Sequence, residues 1–246
     1  MQNSNGNAPA EIRDDATTRM RADSLTKTYS TPRSTTYAVR EVSLGIGARE
    51  FVGIVGPSGS GKSSLLYLMS GLKTATSGEV WFGDFHYSAA TPTQQLDFRR
   101  RMFGFVFQQP FLVPYLSILE NVLVPIENPR EQDKAHAFEL LEWLGIAELA
   151  PKFPNECSGG ERVRASMARG LVHRPAWLWV DEPTASLDTA TGAQVMEVLR
   201  SQTAHGALVV VTHDLEILSD ADHIFRMRDG HLLGDKEQGA GNKGGG

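Results

Sequence analysis

A single cysteine, Cys157, stands in 246 residues, and one thiol makes neither an internal disulfide nor a multi-cysteine zinc site. That usage fits a reducing compartment. Membrane-spanning sequence is lacking too. The longest uncharged stretch, Met102–Leu119, approaches the roughly 20 residues a spanning helix needs, but it carries Gln108, Gln109, Pro110 and Pro114, which a lipid-embedded helix disfavours. No basic start followed by an apolar run opens the chain, so a signal peptide is not expected. Positive charge is also short: 24 Lys and Arg against 29 Asp and Glu leave a net charge of −5. Such a chain offers no broad face for nucleic acid. The rest is ordinary globular composition, 41% hydrophobic and 22% charged. That excludes a chain disordered throughout, a collagen-like repeat and a coiled-coil rod. The length suits one large α/β domain, which buries roughly three-quarters of its unfolded surface.

Residues 1–20 are polar without an apolar period and are expected to form a flexible leader. Residues 235–246 are Gly-rich and read as a flexible tail, leaving 21–234 as the folded domain. Phe51–Val55 (FVGIV) is a continuous apolar run, as a strand buried on both faces should be. A helix is expected over Ser63–Leu72. Strands are expected at Phe103–Phe107, Trp177–Val180 (WLWV) and Ala207–Thr212 (ALVVVT), with helical Leu215–Ser219 after the last. Strands alternating with helices imply a mostly parallel sheet, which binds ligands at the carboxyl ends of its strands. Between the second and third strands the pattern is helical, with periods over Arg130–Leu144 and Gly159–Val172. A helical subdomain is therefore expected at about 109–175, inserted between strands.

The polar motifs fall at those strand ends. Gly56, Pro57, Ser58, Gly59, Ser60, Gly61, Lys62 and Ser63 satisfy G-x-x-x-x-G-K-[ST], directly after a strand and opening a helix. Glycines let backbone N–H groups turn inward around phosphate oxygens, and the helix start adds partial positive charge. In that geometry Lys62 reaches the outer phosphates of a nucleotide and the Ser63 hydroxyl ligates Mg²⁺. WLWV runs into Asp181 and Glu182. An acidic residue at the tip of a buried strand near such a loop holds Mg²⁺, and its neighbour can orient or deprotonate a water. A solvated acidic turn is the plainer reading of the pair, and the phosphate loop outweighs it. Cys157-Ser158-Gly159-Gly160-Glu161 precedes a helix and makes a second candidate anion site, against the plainer reading of Ser158 as a helix cap.

With these motifs in this order, the sequence resembles the ATP-binding cassette (ABC) ATPases over about Met20–Leu233. Cys157–Glu161 is similar to the LSGGQ signature, with cysteine for its leucine and glutamate for its final glutamine. Ser158, Gly159 and Gly160, the members expected to touch the γ-phosphate, are intact. The resemblance implies a P-loop (RecA-like) core, an antiparallel β subdomain and an inserted helical subdomain. It implies that Tyr29, in LTKTYS, stacks on adenine and that Ser64 joins Ser63 among the nucleotide contacts. Gln108, after GFVF, corresponds to the glutamine that senses Mg²⁺ and the attacking water; Gln109 is adjacent, and the register selects Gln108. Ser186-Leu187-Asp188 resembles the D-loop, with Asp188 as a cross-subunit contact, and His213 corresponds to the switch histidine on the γ-phosphate.

The cofactors implied are ATP and Mg²⁺, and the catalytic residues are Glu182, His213, Gln108 and Lys62, with Ser63, Gln108 and Asp181 around the metal. By the same resemblance two such chains dimerise head to tail around two ATP molecules, bound peripherally to integral permease subunits at the cytoplasmic face of the cell membrane. Gln109–Val124 (QPFLVPYLSILENVLV) is similar to the corresponding segment of the lipoprotein-release and macrolide-export group, which implies export or mechanotransmission, with extracytoplasmic components reached through the permease. An importer subunit is the same-class alternative. A soluble ABC ATPase acting on ribosomes or DNA is the other class, and the single cassette, single cysteine and acidic balance argue against it. No nucleic-acid partner is expected.

Overall fold

The computed structural model of the chain describes residues 19–31 and 34–233. Among the described residues ten strands form two sheets, accompanied by six α-helices. The first sheet is antiparallel, in the order β2-β1-β4-β5, from β1 (Met20–Thr31), β2 (Ser34–Ile46), β4 (Ser77–Phe82) and β5 (Phe85–His86). The second runs β10-β9-β3-β8-β7-β6 and contains β3 (Phe51–Val55), β6 (Phe103–Val106), β7 (Trp177–Asp181), β8 (Ala207–Thr212), β9 (His223–Arg228) and β10 (His231–Leu233). All its pairings are parallel except β10 with β9. The α/β core with a mostly parallel sheet is thus as the sequence implies.

The composition of β7 explains why it sits inside. Every residue of WLWVD is buried, and successive side chains point to opposite faces. Trp177 and Trp179 enter the core between the two sheets, beside Phe82, Phe103 and the apolar residues of α1 (Lys62–Met69). Leu178 and Val180 enter the core on the other face, with α4 (Glu131–Trp143), α5 (Gly159–Leu171) and α6 (Thr189–Arg200). A strand that must satisfy both cores has no polar face, which is why its pattern reads as a continuous apolar run.

Several boundaries differ from the sequence reading for local reasons. Met20, assigned above to the leader, opens β1 and is fully buried; residues 1–18 and the tail at 235–246 lie outside the described residues. Helix α1 ends at Met69 rather than Leu72, because the Ser70 hydroxyl donates to the Leu66 carbonyl and Gly71 turns to φ +65°. After β8 only a single 3₁₀ turn forms, Glu216–Leu218. Helix α2 (Pro92–Met102) lies outside the helices the sequence pattern implies, although its start signal is present. Thr91 and Gln94 form a capping box, the Gln94 N–H donating to Thr91 Oγ1 at 3.3 Å and the Thr91 N–H to Gln94 Oε1 at 2.9 Å. The same device starts α3 (Ile118–Leu123) through Ser117 and Glu120.

Between β6 and β7 the chain forms α3, α4 and α5 and no strand. Strand β6 and helix α5 touch backbone to backbone, since a Cβ at Gly104 would run into the Gly170 carbonyl oxygen. Gly104→Ala is therefore expected to destabilise the protein by about 1–3 kcal/mol through overpacking, measured as a lower urea midpoint at unchanged m-value.

Candidate nucleotide site

Parallel pairing sends four connecting loops out of one sheet edge. Val55 pairs with Thr212, Asp181 with Val211 and Val106 with Val180, so the turns after β3, β6, β7 and β8 leave side by side. They enclose a cleft of about 610 Å³ lined by Ser58, Gly59, Gly61, Lys62, Ser63, Ser64, Gln108, Glu182 and His213, with Ala38 and Ala185.

The loop after β3 is shaped by glycine. Gly61 has φ +103°, and a Cβ there would run into the Ala38 carbonyl. Gly59, at φ +78°, faces open space. Lys62 folds its ammonium back onto the loop, donating to the carbonyls of Gly56 at 2.8 Å and Pro57 at 3.2 Å. Ser60 is buried and braces the loop, its N–H donating to Pro57 O at 3.2 Å and its carbonyl accepting the Gly230 N–H at 3.0 Å. Gly61 precedes α1 as its N-cap and offers no side-chain cap, and Gly61, Lys62, Ser63 and Ser64 line the cleft, where an anion can satisfy the first N–H groups of the helix.

Asp181 ends β7 buried. Ser63 Oγ donates to its Oδ1 and the Tyr67 hydroxyl to its Oδ2, each at 2.9 Å. Burial raises the Asp181 carboxyl above its ordinary value, while the two hydroxyls and Lys62 oppose that rise. Burial and then the adjacent Asp181 charge push the Tyr67 phenol up. A hydroxyl and a carboxylate held together are oxygen donors suited to a hard cation, so the donor set fits Mg²⁺.

Glu182 is the next residue, and here the backbone breaks from the strand. Its φ is +51°, unusual for a non-glycine residue, and its N–H donates to Val211 O at 2.8 Å. The turn aims the carboxylate into the cleft, where Oε2 lies 3.0 Å from His213 Nδ1. The Glu182 side chain is 14% exposed and that of His213 68%, so the pair spans the cleft wall and its rim.

Other residues singled out in the sequence lie elsewhere. Tyr29 is half-exposed on β1 and is not part of the cleft lining; Lys73 Nζ donates to its hydroxyl at 3.2 Å. Ser158, Gly159 and Gly160 are at the start of α5, outside the lining. Ser158 is a helix cap, accepting the Glu161 N–H at 3.3 Å while Glu161 Oε2 accepts the Ser158 N–H at 2.7 Å. That second bond holds the Glu161 carboxyl below its usual value. Asp188 caps α6 through Thr191, to whose N–H and hydroxyl its oxygens lie at 3.0 and 2.7 Å.

Two contributors carry no sequence motif. Tyr67 reaches Asp181 from four residues beyond Ser63, and only the fold of β7 against α1 brings them together. Arg169 on α5 donates to Pro110 O at 2.7 Å and Phe111 O at 2.8 Å, tying the segment after Gln108 to the helix that Ser158 starts. Phe111 itself has φ +43°. Arg169 lies ten residues beyond the first residue of α5, and nothing local in the chain hints at that partner.

A family model described as "ABC transporter" matches residues 39–185. The chain is 36% identical over 219 residues to the lipoprotein-releasing system ATP-binding protein LolD of Hydrogenovibrio crunogenus, covering 87% of this chain and 95% of that one. It is 38% identical over 209 residues to the macrolide export ATP-binding/permease protein MacB of Rhodopirellula baltica, covering 82% of this chain and 31% of that longer one. Among solved structures, the dimeric ATP-binding cassette MJ0796 in a post-hydrolysis state bound to ADP and Pi superposes with a TM-score of 0.84 at 33% identity, over 90% of this chain and 99% of that one. Motif order, strand-edge geometry and similarity along nearly the whole folded length agree, and the chain belongs to the ABC transporter family as one of its ATP-hydrolysing cassettes.

Proposed function

We propose that this cassette drives a separate membrane-spanning permease and works as a head-to-tail pair around two ATP molecules. One observation carries the reading: the groups suited to phosphate are divided between two places. Lys62, Ser63, Gln108, Glu182 and His213 line one cleft, while Ser158–Gly160 stand outside it at an open helix start. A Cβ on Gly159 would meet nothing within 4 Å. A second copy turned head to tail offers its Ser158–Gly160 to the open side of the cleft, and the phosphates then satisfy donors on both copies. The neighbour bound to ADP and Pi is itself dimeric, which supports a pair of cassettes.

In this reading the loop Gly56–Ser63 and Ser64 bind the phosphates, with the Lys62 ammonium on the outer ones, and Tyr29 stacks on the adenine. Ser63, Gln108 and Asp181 would hold Mg²⁺, which when bound supplies charge neutralisation at the phosphate oxygens. Glu182 orients the attacking water and accepts its proton, and His213 holds the Glu182 carboxylate while facing the terminal phosphate. Asp188 and its capped turn meet the second copy. Loss of the γ-phosphate removes the bridge and opens the pair, a switch set by one phosphate.

The permease surface is a second cleft, of about 510 Å³, lined by Leu96, Phe105, Phe107, Phe111, Val124 and Arg169 among others. It lies between β6 and the helical stretch of about 109–175, which we read as the moving arm. Phe111 is 63% exposed and nearby Tyr115 79%, an apolar display that suits a cytoplasmic permease helix. No helix among the described residues is long and apolar enough to cross a membrane, which suits peripheral attachment at the cytoplasmic face of the inner membrane. The lipoprotein-releasing and macrolide-export names of the relatives favour export or mechanotransmission.

The test is capture of the tagged Glu182→Gln chain with Mg·ATP from detergent-solubilised native membranes, read by mass spectrometry. One integral membrane protein is the expected catch. Adding Phe111→Asp is expected to cut its yield roughly tenfold or more, as for an apolar hot spot. Recovery of ribosomal or DNA-repair proteins alone would exclude the transporter reading.

A further inference from the structure

We infer that Tyr67 is a positioning residue of the metal half of the ATP site, its hydroxyl holding one oxygen of Asp181 so that the other faces Ser63. This rests on the ATP site proposed above, and no motif or relative described here assigns Tyr67 a role. Ser63 and Tyr67 are four residues apart on α1 and so share one face of that helix. Both donate to Asp181 at 2.9 Å, Ser63 to Oδ1 and Tyr67 to Oδ2. One helix thus grips both oxygens of the carboxylate and fixes the rotation of its plane.

The grip is itself braced. The Tyr67 ring packs at 6.3 Å from the Phe107 ring, one residue before Gln108, and the Lys73 ammonium lies 5.4 Å from the Tyr67 centroid. Phenylalanine keeps this ring packing and removes only the hydroxyl. Mg²⁺ demands near-ideal octahedral geometry, so the orientation of a carboxylate at its site matters even when that carboxylate acts through water. Partners that orient metal-site carboxylates are typically worth about 10- to 100-fold in metal affinity.

Tyr67→Phe in the full chain is the test. Binding of a fluorescent, non-hydrolysable ATP analogue is measured first in EDTA, then against rising Mg²⁺ with protein in excess over nucleotide. The expected result is unchanged affinity in EDTA and a Mg²⁺ midpoint raised about tenfold, with the midpoint of thermal unfolding nearly unmoved. An unchanged Mg²⁺ midpoint overturns the assignment. Affinity lost equally in EDTA and in Mg²⁺ also overturns it, because the hydroxyl would then support the fold of the loop rather than the metal. If the unaltered chain binds no nucleotide, the ATP-site reading fails first and this inference falls with it.

Discussion

Glu182→Gln is expected to bind ATP, to hydrolyse it at least about 100-fold more slowly, and to accumulate as a closed dimer. The size follows from removing a positioned general base, which contributes typically 10²- to 10⁴-fold. Glutamine is nearly isosteric, so the turn at φ +51° and its N–H bond to Val211 O should persist. The side chain can still hydrogen-bond to His213, now 3.0 Å from the carboxylate, but it can no longer take a proton from water. Binding therefore survives while chemistry stalls, and the ATP that bridges two copies stays in place. Phosphate release gives the rate, and light scattering behind size exclusion, with and without Mg·ATP, gives the dimer. Normal turnover in this variant would remove Glu182 from its role; slow turnover without a dimer would leave its role in the chemistry intact and count against the head-to-tail pair.

Lys62→Ala carries the second large effect, a loss of nucleotide affinity of roughly 10- to 100-fold. A hydrogen bond to a charged group contributes about 1.5–3 kcal/mol, and the Lys62 ammonium is already gathered over the loop by the carbonyls of Gly56 and Pro57. It thus reaches an incoming phosphate with little further ordering. The backbone N–H groups of the loop remain in the variant, so weak binding should survive. Isothermal titration with ATP measures the change, and an unchanged dissociation constant would contradict the assignment.

Much of the site was readable because its residues are local in the chain. The loop Gly56–Ser63 is one continuous turn, and the pair Asp181–Glu182 sits where an apolar run stops. Each needs only its flanking strand or helix to be recognised. The boundaries that slipped did so for side-chain reasons. At α1 the Ser70 hydroxyl and the positive φ of Gly71 end the helix early. At Thr91 a capping box opened a helix in a stretch too polar to show an apolar face, since α2 has no buried residue. Ser158 illustrates a reading with two answers. The structure realises the helix cap, and its exposed position leaves the proposed contact with a second copy available.

By itself the sequence determined the cassette: a phosphate loop between strand and helix, a buried strand ending in two carboxylates, and a glycine pair at a second helix start. Those are short-range patterns, set by backbone freedom, periodicity and the cost of burying polar groups. Tertiary structure alone decided what meets what. Parallel pairing of β3, β8, β7 and β6 aligned four distant turns at one end of the sheet, so that Gln108, Glu182 and His213 line one cleft together with Lys62. Packing of α1 beside β7 brought Tyr67 to Asp181, and packing of α5 beside β6 brought Arg169 to the segment after Gln108. Such contacts depend on sheet order and on the close approach of β6 and α5 at Gly104 and Gly170, and no local pattern in a single chain encodes either.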